Sequence, residues 1–232
     1  MEITNRLLGS LPQQDLAALT PHLERVSLRL SEPLIVPYEP IRSVYFPINA
    51  LASLVTVLED GSTVECGSVG REGMVGVPVV LHAATTPMQT LVQVAGDAFR
   101  VDAAIVLEEF EKRGALYTIL TRYIHTIFVV ASQSTACNRR HLVEARLARW
   151  LLTSSDGIGS HSVGITQEFL ATMLGVRRSG VTEAAVKLQD QGLIQYSRGH
   201  VQIVDRRGLE AASCECYQVV CQEYERMFGT KP

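Results

Sequence analysis

The feature that most constrains this chain is a change of period near residue 103. Before it, from about 26 to 101, short β-type runs are broken by turn residues at regular intervals. Residues 26–30 stop at Ser31-Glu32-Pro33, and Val44-Tyr45-Phe46 stops at Pro47. The run 51–58 ends at Glu59-Asp60-Gly61-Ser62, a hairpin signal, and 63–66 resumes it. Runs 90–94 and 98–101 flank Ala95-Gly96-Asp97. After it, from 103 to 136, there is no Pro, and Gly114 is the only Gly. Leu116, Leu120, Tyr123, Ile127, Val130, Ser134 and Cys137 recur at alternating steps of four and three. That is a heptad seam on one long helix. An antiparallel β-roll or jelly roll followed by a long helix is therefore expected.

The ends complete an α+β chain. Residues 3–25 read as short helices, with Leu7, Leu8 and Leu11 before Pro12 and a helical run after it. A second helix is expected over about 141–154, and 155–164 reads as a Gly- and Ser-rich loop. The seam on the long helix reads as a homodimer contact through Leu116, Leu120, Tyr123, Ile127, Val130 and Ser134. The alternative is a helix packed on its own domain, because Ile119, Ile124 and Phe128 widen the apolar face.

Composition narrows the class. With 47% hydrophobic and 19% charged residues, a packed core is expected and disorder is not. No run approaches the ~18 consecutive apolar residues of a membrane span. The N-terminus, Met1-Glu2-Ile3-Thr4-Asn5-Arg6, lacks a basic region followed by an apolar one. A cytoplasmic protein without a membrane partner is expected, and five cysteines make no disulfide framework. The net charge of −3 is unevenly spread: residues 139–207 hold 10 Lys and Arg against 6 Asp and Glu. Residues 1–135 hold 9 against 14. One basic segment inside an acidic protein suits a polyanion-binding module.

Residues 166–186 carry that module. Ala171, Gly175 and Val181 occupy positions 5, 9 and 15 of a helix-turn-helix unit starting at Gln167. The small residue permits the helix crossing, Gly the turn, and Val an anchor in the second helix. Leu170, Leu174, Val176, Ala184 and Val186 are expected to be buried, and Thr166 to cap the first helix. The second helix opens with Arg177-Arg178-Ser179 and continues through Thr182, Glu183 and Lys187. Such helices place N-terminal residues against base edges in the major groove, and Arg donates two hydrogen bonds to guanine. Arg178 is the first choice for base readout, with Arg177, Ser179 and Thr182 beside it, and Gln167 and Glu183 complete the candidate surface. Residues 193–196 and 201–204 alternate around Ser197-Arg198-Gly199-His200, the wing of a winged helix. Arg198, His200 and Lys187 are candidate phosphate contacts.

Short helices, β-roll, heptad helix and winged helix-turn-helix in this order resemble the Crp/Fnr superfamily of bacterial transcription factors. The most specific stretches are Val69-Gly70-Arg71-Glu72-Gly73-Met74-Val75-Gly76 and residues 166–186. The resemblance implies a homodimer on a palindromic double-stranded DNA operator, RNA polymerase as a partner, and a signal received by the roll. It implies a sensor over 1–103, a dimerisation helix over 104–137 and a DNA-binding domain over 138–232.

The signal itself is not implied. Cyclic-nucleotide-binding members carry Gly-Glu for the ribose and, some ten residues later, Arg with Ser or Thr for the cyclic phosphate. Here those positions fall at Gly76-Val77 and Met88-Gln89, before Thr90, and no Arg lies between Arg71 and Arg100. Cyclic AMP is therefore not expected. Arg71 and Glu72 supply charges in another register and are expected on a surface turn; Ser132 is a further effector candidate from the long helix. Iron–sulfur members carry N-terminal cysteines, whereas this chain has none before Cys66, so no cluster is expected. Cys214, Cys216 and Cys221 are candidates for a redox or metal switch, against a reading as free thiols. An enzyme on a β-roll is the rival class; it lacks paired histidines in the strands, a Walker lysine or a nucleophile elbow.

Overall fold

The computed structural model describes residues 3–197 and 199–232. Helices α1 (Arg6–Gly9) and α2 (Gln13–Leu19) lead into seven strands. These are β1 (Glu24–Leu28), β2 (Pro33–Ile35), β3 (Ser43–Pro47), β4 (Leu51–Val57), β5 (Thr63–Val69), β6 (Gln89–Val94) and β7 (Gly96–Asp102). The short helix α3 (Val77–Val80) stands between β5 and β6. Pairing is antiparallel in two sheets, β1-β7-β3 and β2-β6-β4-β5. This is the roll that the alternation predicts. The three-residue β2 escapes sequence reading because Pro33 opens it and its register shifts within it.

Two helices follow, α4 (Ala103–Glu111), capped by the Asp102 carboxylate on Ala104 N–H at 2.8 Å, and α5 (Ala115–Arg140). After an extended His141-Leu142 comes α6 (Val143–Ile158). The winged unit adds β8 (Ser162–Gly164), α7 (Gln167–Leu174), α8 (Arg178–Asp190), β9 (Ile194–Ser197) and β10 (His200–Ile203), with sheet order β8-β10-β9. Helices α9 (Arg206–Ala212) and α10 (Glu215–Phe228) close the chain, and α10 packs along α5.

One core lies between the roll and α4–α5, around Leu8, Phe46, Phe99, Val106, Leu120 and Tyr123. The other holds Trp150, Leu151, Leu170, Val181, Leu188 and Ile194, and it takes in Leu51 and Val55 of the roll. The winged unit is thus docked on β4 and β5.

The loop expected at 155–164 is a correction. Helix α6 runs through Ser154-Ser155-Asp156-Gly157 and stops at Gly159, whose φ is +70°. Its final turns press on the roll: a Cβ on Gly70 would collide with the Gly157 backbone. The Arg71 N–H donates to Gly157 O at 2.8 Å. Small residues here serve a close approach of two backbones, not a turn. Among the described residues, α5 is the one helix long and apolar enough by composition to cross a membrane. Polar Thr118, Arg122, His125 and Ser132 break up its apolar surface.

Candidate nucleic-acid interface

The interface is assembled at the turn between α7 and α8. The Thr166 hydroxyl accepts from Phe169 N–H at 3.2 Å and starts α7. Gly175 ends it with φ at +61°, a conformation that costs other residues about 1–2 kcal/mol. Ala171, Leu170, Leu174, Val181, Ala184 and Leu188 are buried where the two helices cross. Val186 is a correction: it is 49% exposed, on the outward side of α8. Thr182 Oγ1 lies 2.9 Å from Gln167 Oε1 and 3.0 Å from the Arg178 carbonyl oxygen. These two candidate contacts thereby brace α8 against α7.

What remains free is one row. Arg177, Arg178, Ser179, Glu183 and Lys187 are exposed along α8, and Thr166 is exposed at the start of α7. Arg177 is the N-cap residue, and α8 carries no side-chain cap, so its first amides have no side-chain acceptor. Lys187 Nζ stands 3.7 Å from a Glu144 carboxylate oxygen, an exposed pairing of little strength. In the wing, β9 and β10 pair from Ser197 opposite His200 to Ile194 opposite Ile203. His200 is exposed beside Gly164, and Arg198 lies outside the described residues.

The effector candidates do not share one set of neighbours. Glu72 is buried, not on a surface turn, and takes Gly70 N–H on Oε1 at 2.8 Å. Burial raises its carboxyl above the ordinary range, and the Gly70 hydrogen bond opposes that. The Arg71 guanidinium lies against Gly159 at the end of α6, and partial burial lowers its pKa. Gly76, φ +111°, opens α3. Met88 sits in the turn before β6, while Gln89 and Thr90 pair with Val55 and Leu54 of β4. Ser132 is exposed, and its hydroxyl donates to Phe128 O at 2.9 Å. Inside the roll, Ser53 Oγ lies 2.8 Å from Glu65 Oε2 and 2.7 Å from Gln93 Oε1. Glu65 also lines, with Glu72, a cavity shared with Arg149, Trp150 and Tyr217 of the winged unit.

The heptad seam is also a correction. Leu116, Leu120, Tyr123 and Ser134 are buried within the chain, and the Tyr123 hydroxyl donates to Met74 O at 3.2 Å. Ile127 packs on the roll core, and Val130 lies over Gly67. The outward stripe is Thr121, Phe128, Ser132 and Thr135, with Phe128 71% exposed, while Ile124 is partly buried against the roll core. Of the thiols, Cys221 is buried in the core of the winged unit. Cys214 and Cys216 instead meet Cys137 and His141 at the junction of α5 and α6, a juxtaposition across more than seventy residues that no local spacing announces.

Fold and interface together define a class: a β-roll protein with a winged helix-turn-helix for DNA. Residues 145–212 match the family model of the Crp-like helix-turn-helix domain. No curated protein sequence matches the chain. Among solved structures, FixK2 of Bradyrhizobium japonicum superposes with a TM-score of 0.70 at 15% identity, covering 83% of this chain and 98% of that one. A crp/fnr-family regulator structure from Eubacterium rectale gives 0.67 at 17% identity, over 91% and 99%. The c-di-GMP-responsive global regulator CLP of Xanthomonas campestris gives 0.65 at 14% identity, over 83% and 99%. Residues 145–212 of this chain therefore match a Crp-like helix-turn-helix domain, and the chain shares the fold of these solved structures.

Proposed function

We propose that the chain is a homodimeric transcription regulator that reads a two-fold symmetric DNA operator through α8. The observation that carries this reading is the exposed, uncapped Arg177-Arg178-Ser179 start of α8, aimed by the Gly175 turn. Arg178 contacts a base edge, with Arg177 and Ser179 beside it; Thr166, Lys187 and the wing, through His200 and Arg198, hold phosphates. Gln167 and Thr182 position α8.

The dimer forms through the outward stripe of α5, around Phe128 with Thr121 and Thr135 on either side. Its heptad spacing and exposed Phe128 support this face, since the inward stripe is occupied by the roll. The division into a sensor over 1–103, a helix over 104–137 and a DNA-binding domain over 138–232 follows the same reading, with the hinge near Cys137–Arg140 at the end of α5. Signal reaches α8 by movement at this hinge, and RNA polymerase is the partner at the promoter. The roll answers a signal other than cyclic AMP. A cyclic phosphate needs a guanidinium clamp, and no Arg lies between Arg71 and Arg100 to supply one at the expected place.

Selection of bound duplexes from a random pool tests the proposal. An enriched inverted repeat with half-sites about one helical turn apart is expected. Titration of cyclic AMP by calorimetry is expected to give no heat, and micromolar binding would overturn that part.

A further inference from the structure

We propose that Cys137, His141, Cys214 and Cys216 form a tetrahedral site for one zinc-class divalent cation that pins helix α10 to the hinge. The four donor atoms lie within 4.8 Å of one another. Cys137 Sγ stands 3.5 Å from Cys214 Sγ, and Cys216 Sγ 3.7 Å from His141 Nδ1. Tetrahedral bonds of about 2.3 Å to sulfur and 2.0–2.1 Å to nitrogen set ligand atoms roughly 3.5–3.8 Å apart. A three-thiolate, one-imidazole set of that size suits a single soft cation better than magnesium or calcium, which take oxygen.

Two local elements build the site. Cys137 and His141 come from the last turn of α5 and the residue after it. Cys214 is the N-cap residue of α10, and Cys216 lies in its first turn. The three thiols are buried, which shields them from solvent oxidants. His141 Nε2 faces the Glu215 carboxylate at 3.2 Å. An Nε2–H donated there leaves Nδ1 as a lone pair for the cation, the carboxylate–histidine arrangement that orients metal ligands. Three thiolates and a divalent cation carry one net negative charge. Arg146, buried and hydrogen-bonded to Asn138 next to Cys137, supplies a positive charge that offsets it.

The same neighbourhood reaches the interface. Arg146 donates to Asn138 Oδ1 at 2.9 Å and to the carbonyl of Leu174, the last residue of α7. The site thus sits one side chain from the turn that aims α8, and the cation fixes the hinge and α10 as one body. Cys221, in the core of the winged unit, is not a ligand.

The test uses the full chain, purified without chelator under reducing conditions. Elemental analysis is expected to find one zinc per chain. Cobalt in its place is expected to give the intense visible bands of tetrahedral coordination with a thiolate charge-transfer band. Cys216→Ser and His141→Ala are expected to lose metal, and Cys221→Ser and Cys66→Ser to keep a full equivalent. If the ligand variants fail to fold, the cobalt spectrum of the unaltered chain still decides. A folded chain that holds no zinc and gives no tetrahedral cobalt spectrum overturns the site. So does a Cys137–Cys214 disulfide in the reduced preparation, or full metal retention by both ligand variants. None of these readouts involves DNA, so failure here and failure of the regulator reading are separable.

Discussion

At the residue scale, two side chains carry opposite lessons. Arg178 is exposed at the first turn of α8, and among the described residues its guanidinium has no salt bridge. Arg178→Ala is expected to cost about 1–3 kcal/mol of operator binding and to relax base preference at one position per half-site. Selection repeated with the variant checks this, and an unchanged preference would remove Arg178 from base readout. Glu65 shows the cost of burial. Desolvation raises its carboxyl to about 7 from an ordinary 4.5, against the lowering effect of the Ser53 hydroxyl. Between those values the folded chain keeps a proton that the unfolded chain has released. Stability is therefore lost as pH rises from 4.5 to 7, and the loss is complete above 7. Glu65→Gln is expected to remove a penalty of at most about 3 kcal/mol. Thermal melting is expected to show a stabilised variant above pH 7 and little difference near 4.5. A difference that ignores pH would contradict the burial argument.

At the element scale, α5 holds two interleaved heptad stripes. Leu116, Leu120, Tyr123 and Ile127 face the roll, while Thr121, Phe128, Ser132 and Thr135 face outward. Both satisfy the same periodicity. Pattern alone locates the helix but cannot say which stripe meets the roll and which a second chain. The stronger apolar stripe belongs to the larger buried surface. Leu120→Ala is expected to cost about 2–5 kcal/mol of folding stability, because the side chain is fully buried. Phe128→Glu is expected to leave the fold intact and shift sedimentation toward monomer. A dimer unchanged by Phe128→Glu would send the contact elsewhere. The end of α6 was illegible for a related reason. Ser154-Ser155-Asp156-Gly157 has turn composition, yet the helix continues because Gly157 must approach Gly70. By contrast α7, α8 and their turn were readable residue by residue, since Thr166, Ala171, Gly175 and Val181 each answer a local constraint. Only the orientation of Val186 failed, and it lies on a face that folding leaves unconstrained.

At the scale of the whole molecule, charge and connectivity separate the parts. The basic excess lies within residues 139–207, while the first 135 residues are acidic. This asymmetry is expected to favour approach of the winged unit, not the roll, to a duplex. Order of elements was legible because each strand and helix announces its own period. The docking of the winged unit on β4 and β5, and the meeting of Cys137 with Cys214, were not. Both depend on contacts between segments far apart in sequence, for which no local rule exists. The central claim is that α8 reads operator DNA as one half of a symmetric pair. The most direct measurement is selection from a random duplex pool with purified chain, in zinc-replete and chelated samples. An inverted repeat with half-site centres roughly 34–36 Å apart, lost with Arg178→Ala, is the expected result. A folded protein that enriches no sequence in either sample, or enriches an unpaired half-site, would contradict the claim.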